Sequence, residues 1–351
     1  PIGVVAAIVP WNSQLFLSAV KLAPALAAGC TVVLKASEEA PAPLLSFARI
    51  VHEAGFPPGV VSILTGFGDD CGKILTSHPL VARIAFTGGP ETARHVVRNS
   101  ANNLAYTTLE LGGKSPVIVF PDADLDSTVN ALVAGIFAAS GQSCVAGSRL
   151  LAHRDIIEPL LEQLKTRAQA IRIGSPQSME TEFGPLATQR QREHIQDLVA
   201  RSLDSGATLI TGGKSPEAFA EGFYFEPTIL RCDRPDIPCL QEEFFGPVLS
   251  VLSFDDEQDA VVKANDTPFG LASGIFTRDL ACAKRVSARI RAGVVWINTY
   301  RMISPLMPFG GYGLSGLGRE GGPEAMLDYT RVKSVWIRTS DDPISDPFVM
   351  R

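Results

Sequence analysis

The sequence predicts an α/β fold: a doubly wound, mainly parallel sheet followed by a second α/β unit. Three observations carry this expectation. Short apolar runs alternate with helical patterns of roughly ten to fifteen residues, the signature of repeated βαβ units. The strand-like runs end in Gly or polar residues, as ligand-facing ends of parallel strands do. The chain has 351 residues, enough for two well-buried domains.

The elements follow in order. "IGVVAAIV" (2–9) is a short apolar run closed by Pro10, hence a buried strand. Residues 13–28 carry apolar positions at helical spacing, with Asn12 or Ser13 as N-cap and Gly29 as the stop. "CTVVLKA" (30–36) is a strand, and "PAPLLSFARIVHEAG" is a helix opened by prolines and closed at Gly55. A strand at 60–64, a short helix near 69–77, a strand at 81–86, a helix at 90–99 and a strand at 106–111 complete the first unit. The second unit begins with "SPVIVF" (115–120). A helix near 124–139, the turn around Cys144, a strand at 149–152 and a helix at about 154–171 follow. Strand-like runs recur at 248–254, 271–277 and 293–298, with a helix near 279–291, whereas 174–190 and 212–223 read as loops. These shifts place one domain at 1–112, a second at 113–312 and a C-terminal segment at 313–351.

Composition narrows the function. A net charge of −6 without a basic block argues against nucleic acid. The cysteines at 30, 71, 144, 232, 239 and 282 form no CxxC pair, and the five His residues lie far from ligand spacing with them. Neither a metal site nor a disulfide framework is expected, and free thiols in the cytoplasm are. The apolar stretch 15–34 is interrupted by Lys21, Pro24 and Gly29, so no membrane span is predicted. The chain starts at Pro1 without Met, which reads as a piece of something longer.

Cys144 lies in "FAASGQSCVAGSRLLA" (137–152), between Gly141 and Gly147. A lone Cys is most often a small buried hydrophobe; as a nucleophile it needs a base or an acidified setting. His52, His95 and His194 fall in helical patterns and are poor candidates for that base. Glu110, in "TLELGGKSP", ends an apolar strand. It is either a carboxyl with a raised pKa, suited to a general base, or a solvated Glu at a sheet edge. "GFGDDCG" (66–72) is a weak dinucleotide fingerprint. "FTGGPETARHV" is a stronger one, because Gly88 and Gly89 precede a helix whose N-terminus suits a phosphate. Lys35 and Glu38 follow another strand end and suit ribose contacts, though each taken singly is better explained as surface charge.

With "PWN" (10–12), "LKASEEAP" (34–41), "FTGG" (86–89), "LELGGKSP" (109–116), "GQSC" (141–144), "EEFFGPV" (242–248), "NDTPFGLAS" (265–273) and "PFGGYGLSGLGRE" (308–320), the chain resembles the NAD(P)-dependent aldehyde dehydrogenase superfamily over nearly its full length. The resemblance implies a cofactor-binding domain, a catalytic domain and a C-terminal oligomerisation strand at 329–338, in a homodimer or homotetramer acting on a small aldehyde. It implies Cys144 as nucleophile, Asn12 with the Cys144 N–H as oxyanion donors, and Glu110 as the base that hydrolyses a thioester. For the cofactor, NAD or NADP, it implies Trp11, Lys35, Glu38, Gly66, Gly88, Gly89, Glu243 and Phe245. Glu38 favours NAD by repelling a 2′-phosphate. Lys114 is a weaker candidate, serving cofactor or packing.

The chain departs from that pattern in two places. Ala93 stands where a Gly is usual, and the resemblance implies a preceding segment that is missing here. The "NTYRMISPLMPFGG" loop (298–311) lines the substrate mouth by resemblance; Arg301 there is either a solvated loop arginine, the slightly favoured reading, or a binder of a carboxylate or other anionic tail. Gly141 and Gly147 are expected to let the Cys144 turn approach its ligands. Against aldehyde oxidation stand three alternatives: a catalytically silent binding or structural protein, or truncated fragment, on the same fold; a coenzyme-A-acylating relative; and a cofactor-free thiol hydrolase.

Overall fold

The computed structural model describes residues 1–349. The first half runs β1 (Val4–Ile8), α1 (Gln14–Ala27), β2 (Thr31–Lys35), α2 (Ala42–Glu53), β3 (Val61–Leu64), α3 (Lys73–Ser77), β4 (Val81–Thr87), α4 (Pro90–Ser100) and β5 (Tyr106–Glu110). Next come β6 (Pro116–Val119), α5 (Leu125–Phe137), β7 (Arg149–His153), α6 (Ile157–Gln169), α7 (Gln189–Asp204), β8 (Thr208–Thr211), β9 (Thr228–Cys232) and α8 (Pro238–Gln241). The rest is β10 (Val248–Phe254), α9 (Glu257–Asn265), β11 (Ala272–Phe276), α10 (Leu280–Ser287), β12 (Val294–Ile297) and β13 (Gly316–Leu317).

Two sheets result. The first has the order β13-β5-β4-β1-β2-β3, parallel except for β13, which pairs antiparallel with β5. The second has the order β12-β11-β6-β7-β10-β9-β8, parallel except at β8–β9. In β1, Val5 and Ala7 pack into one core cluster while Ala6 packs into another. Successive side chains of a strand point to opposite faces, so a strand buried on both reads as a continuous apolar run. That is why "VVAAI" shows no alternation. The strand order reverses at β1, which lies between β2 and β4. A crevice therefore opens beyond the carboxyl ends of β1 and β4, where open α/β sheets bind ligands.

Several expectations change. Neither Asn12 nor Ser13 caps α1 through its side chain; Ser13 is left-handed, with φ 51°, and the Asn12 amide is engaged elsewhere. The helix expected to reach 139 ends at Phe137, because Ala139 and Ser140 both take φ 54° to start the Cys144 turn. The elements β8, β9 and α8 are additions to the expected order, and α7 extends the helical pattern around His194. The 330–338 stretch forms no ladder within this chain, and Val332 and Trp336 are almost fully exposed.

Among the described residues, no helix is long and apolar enough to cross a membrane. No group of three or more His, Cys, Asp and Glu there is arranged to hold a metal ion.

Candidate active site

The carboxyl ends of β1, β4 and β5, the Cys144 turn, the 243–245 loop and the loop after β12 enclose a pocket of about 770 Å³. Trp11, Asn12, Gly88, Gly89, Glu110, Cys144, Glu243, Phe245 and Arg301 all line it. Lys35, Glu38 and Gly66 do not. Lys35 ends β2 and Glu38 lies three residues on, the two joined by an ion pair of 3.2 Å. Gly66 holds a φ of 150° against Cys71.

Cys144 is half-buried. Burial, with the carboxylates of Glu243 and Glu110 adding to it, pushes its thiol up to about 12. The N–H groups of Val145 and Cys144 oppose that push. The resting group is thus a thiol, and a base must take its proton before attack. Among the described residues, no carbonyl accepts from the Cys144 N–H, which leaves that donor free for an oxyanion. The Asn12 amide stands over the same turn, donating one N–H to the Gln142 carbonyl at 3.2 Å.

Glu110 is the most unusual group in the pocket. It is 3% exposed, and neither carboxylate oxygen has a hydrogen-bond partner. Burial raises its pKa well above the ordinary range and the Glu320 carboxylate adds to this, while Lys21 and Arg319 oppose it. An unpartnered buried carboxylate is costly unless it is neutral, so it waits for protons at moderate pH. The solvated-edge reading of Glu110 is therefore wrong.

Glu243 accepts from the Gly113 N–H at 2.8 Å, and burial raises its carboxyl to about 7. A Cβ at Gly112 would overlap its carboxylate, so that Gly makes room for the glutamate. Phe245 takes a left-handed φ of 49° and meets Trp11 edge to face at 5.4 Å. The loop is held from α7, where Gln191 donates to the Phe244 and Phe245 carbonyls and His194 bonds the Glu243 carbonyl at 3.0 Å. His194 lies at the pocket but serves as a brace rather than a base.

Two residues were misread. Gly141 does not clear space for ligands; a Cβ there would strike the Gly246–Pro247 backbone, and its φ is 73°. A Cβ at Gly147 would crowd the Val117 side chain and the Tyr300 ring, so that glycine serves packing. Lys114 lies outside the pocket, fully buried, with its ammonium 4.6 Å from the Phe244 ring centroid. Ala93 packs in the core beside Val96 and Leu109, so its extra methyl is accommodated.

Two residues were missed. Lys21 is fully buried, donates to Thr87 Oγ1 at 2.7 Å and pairs with Glu320, which itself lines the pocket. The one signal was a single Lys inside an apolar helix. Glu320 carried none beyond its Gly-rich neighbours.

The pattern of these groups has clear counterparts. Residues 1–335 match the aldehyde dehydrogenase family. The chain belongs to that family. One relative, from Acinetobacter baylyi, is named (Z)-2-((N-methylformamido)methylene)-5-hydroxybutyrolactone dehydrogenase; it is 63% identical over all of this chain and 72% of its own length. A betaine aldehyde dehydrogenase from Vibrio vulnificus is 42% identical over 96% of this chain and 70% of its own. The crystal structure of a betaine aldehyde dehydrogenase from Staphylococcus aureus, in complex with NAD+, superposes with a TM-score of 0.92 at 39% identity. That match covers 94% of this chain and 66% of the other. This aldehyde dehydrogenase chain thus spans about 70% of the length of such relatives.

Proposed function

We propose that this chain carries the active site of an NAD-dependent aldehyde dehydrogenase that oxidises an aldehyde to its carboxylic acid through Cys144. The observation that supports it best is Glu110, a buried carboxylate without a partner, in one pocket with a thiol and two oxyanion donors.

The residues divide the work. Glu110, or Glu243 with its carboxyl raised to about 7, takes the Cys144 proton as sulfur attacks the aldehyde carbon. The oxygen of the resulting thiohemiacetal is held by the Asn12 amide and the Cys144 N–H. One such donor contributes roughly 3 kcal/mol to a transition state. Oxidation leaves an acyl thioester on Cys144. Glu110 then withdraws a proton from water, which adds to the thioester and releases the acid. A carboxyl with a raised pKa suits both proton transfers.

The residues fit NAD. The α4 N-terminus beyond Gly88 and Gly89 faces the crevice, with open space where a Gly89 Cβ would lie, and suits a phosphate. Glu38 and Lys35 suit a ribose diol, and Glu243, Trp11 and Phe245 suit the second ribose and ring. NAD supplies the hydride acceptor when bound. The NAD+ complex of the Staphylococcus aureus enzyme supports the same reading.

The Acinetobacter relative is named for a 5-hydroxybutyrolactone. Such a ring is the closed form of a 4-oxo acid, so its opening exposes an aldehyde for the same chemistry. NADH formation with a panel of aldehydes tests the proposal, using Cys144→Ala as control. NADH formation that depends on Cys144 is expected; equal turnover by the variant overturns it.

A further inference from the structure

We propose that the pocket selects an aldehyde carrying a carboxylate a few carbons away, and that Arg301 is the residue that binds it. This rests on the oxidation reading of the same pocket.

Arg301 lines the pocket together with Cys144 and Asn12. Its backbone is held in a left-handed conformation, with φ 64°, which is unusual for a side chain of this size. The neighbouring Tyr300 fixes the register. Its buried hydroxyl donates to the Val145 carbonyl at 3.0 Å, so the residue before Arg301 is fastened to the residue after Cys144. The guanidinium donates through Nη1 to the Ala134 carbonyl of α5 at 3.0 Å.

Among the described residues no carboxylate pairs with Arg301, whereas the pocket's other arginine, Arg190, pairs with Glu39. One carbonyl contact leaves most of the five guanidinium N–H groups without a partner. Two parallel donors of that kind match a carboxylate bidentately. The same pocket also carries apolar residues, Leu17, Val20, Ile303 and Met307, that suit a short aliphatic linker. Arg301 follows the residue fastened to the Cys144 turn and lines the same pocket as the thiol, so the proposed linker is short. The proposed ligand is a 4-oxo carboxylate, with its aldehyde at the Cys144 sulfur and its anion at the Arg301 guanidinium.

The test compares succinate semialdehyde with butanal, by kcat/KM, in the parent chain, Arg301→Gln and Arg301→Lys. One charge-assisted bidentate contact predicts a preference of about 10- to 100-fold for the semialdehyde. That ratio should collapse toward one in Arg301→Gln and return in part in Arg301→Lys. An equal ratio in the parent and Arg301→Gln overturns the proposal. Calorimetric titration of Cys144→Ala with succinate semialdehyde gives a readout without turnover, and binding there should weaken when Arg301→Gln is added. Binding indifferent to Arg301 overturns the proposal even if oxidation stands. If neither aldehyde yields NADH, the oxidation reading fails while the titration still judges the arginine.

Discussion

Lys21 and Glu320, separated by 299 positions, form a buried ion pair at the edge of the pocket. Thr87, the last residue of β4, accepts a second bond from the same ammonium. The pair ties α1 to the chain segment after β13, and both members act on Glu110 in opposite senses.

Lys21→Met removes the charge that lowers the Glu110 pKa and leaves Glu320 buried alone. Breaking such a pair costs roughly 3–5 kcal/mol of stability. In the folded fraction, the acid limb of the pH–rate profile for acid release should move to higher pH. Denaturant titration and the pH profile check both parts; an unmoved limb means that Glu110 is not the titrating base.

Glu243 gives a stability prediction with a definite sign. Its folded carboxyl is raised from 4.5 to about 7, so the folded state holds the proton more tightly than the unfolded one. Stability from this group is fully present below the unfolded pKa and is lost as pH rises through about 7. Glu243→Gln keeps an oxygen for the Gly113 N–H and removes the charge. It should raise stability at pH 8 by at most roughly 3 kcal/mol and change little near pH 4. Thermal unfolding at the two pH values tests this, and a gain confined to pH 4 would contradict it.

The proposed function makes Glu38 the residue that sets cofactor choice. Against the upward push of partial burial, its own backbone N–H and Lys35 hold its carboxyl below the ordinary value, so it is ionised at neutral pH. Glu38→Ser removes a charge that would repel a 2′-phosphate and frees Lys35 to meet it. The NADP-to-NAD ratio of kcat/KM should rise about tenfold, the scale of one partly exposed charge contact. An unchanged ratio would mean that Glu38 does not face the 2′ position.

Gly141→Ala should destabilise the chain by roughly 2 kcal/mol or more, from left-handed strain plus collision with the Gly246–Pro247 backbone. Gly89→Ala, at a site with open space around it, should leave stability nearly unchanged. Paired denaturant titrations distinguish the two.

The α/β alternation was legible because strands buried on both faces leave short apolar runs, and because turns such as Gly88–Gly89 interrupt them. Glu110 was legible as a carboxylate out of place in an apolar strand. Lys21 carried the same kind of signal in α1, but its partner lies 299 positions away and no local period points to it. The weakly patterned β8 is exposed at its first two residues and sits at a sheet edge, so it left little trace. The bracing of the 243–245 loop depends on side-chain bonds from α7 to carbonyls, which residue types alone do not reveal.

The central claim is that Cys144 carries the acyl group and Glu110 releases it. With Glu243 still present to take the thiol proton, Glu110→Gln should oxidise aldehyde once and then stall, since loss of a general base slows a step by roughly 100- to 10,000-fold. Mass spectrometry of the variant after mixing with aldehyde and NAD reads this directly. The account predicts an acyl adduct on the Cys144 peptide that forms only with NAD. An adduct on another residue, or none while NADH accumulates, would contradict it.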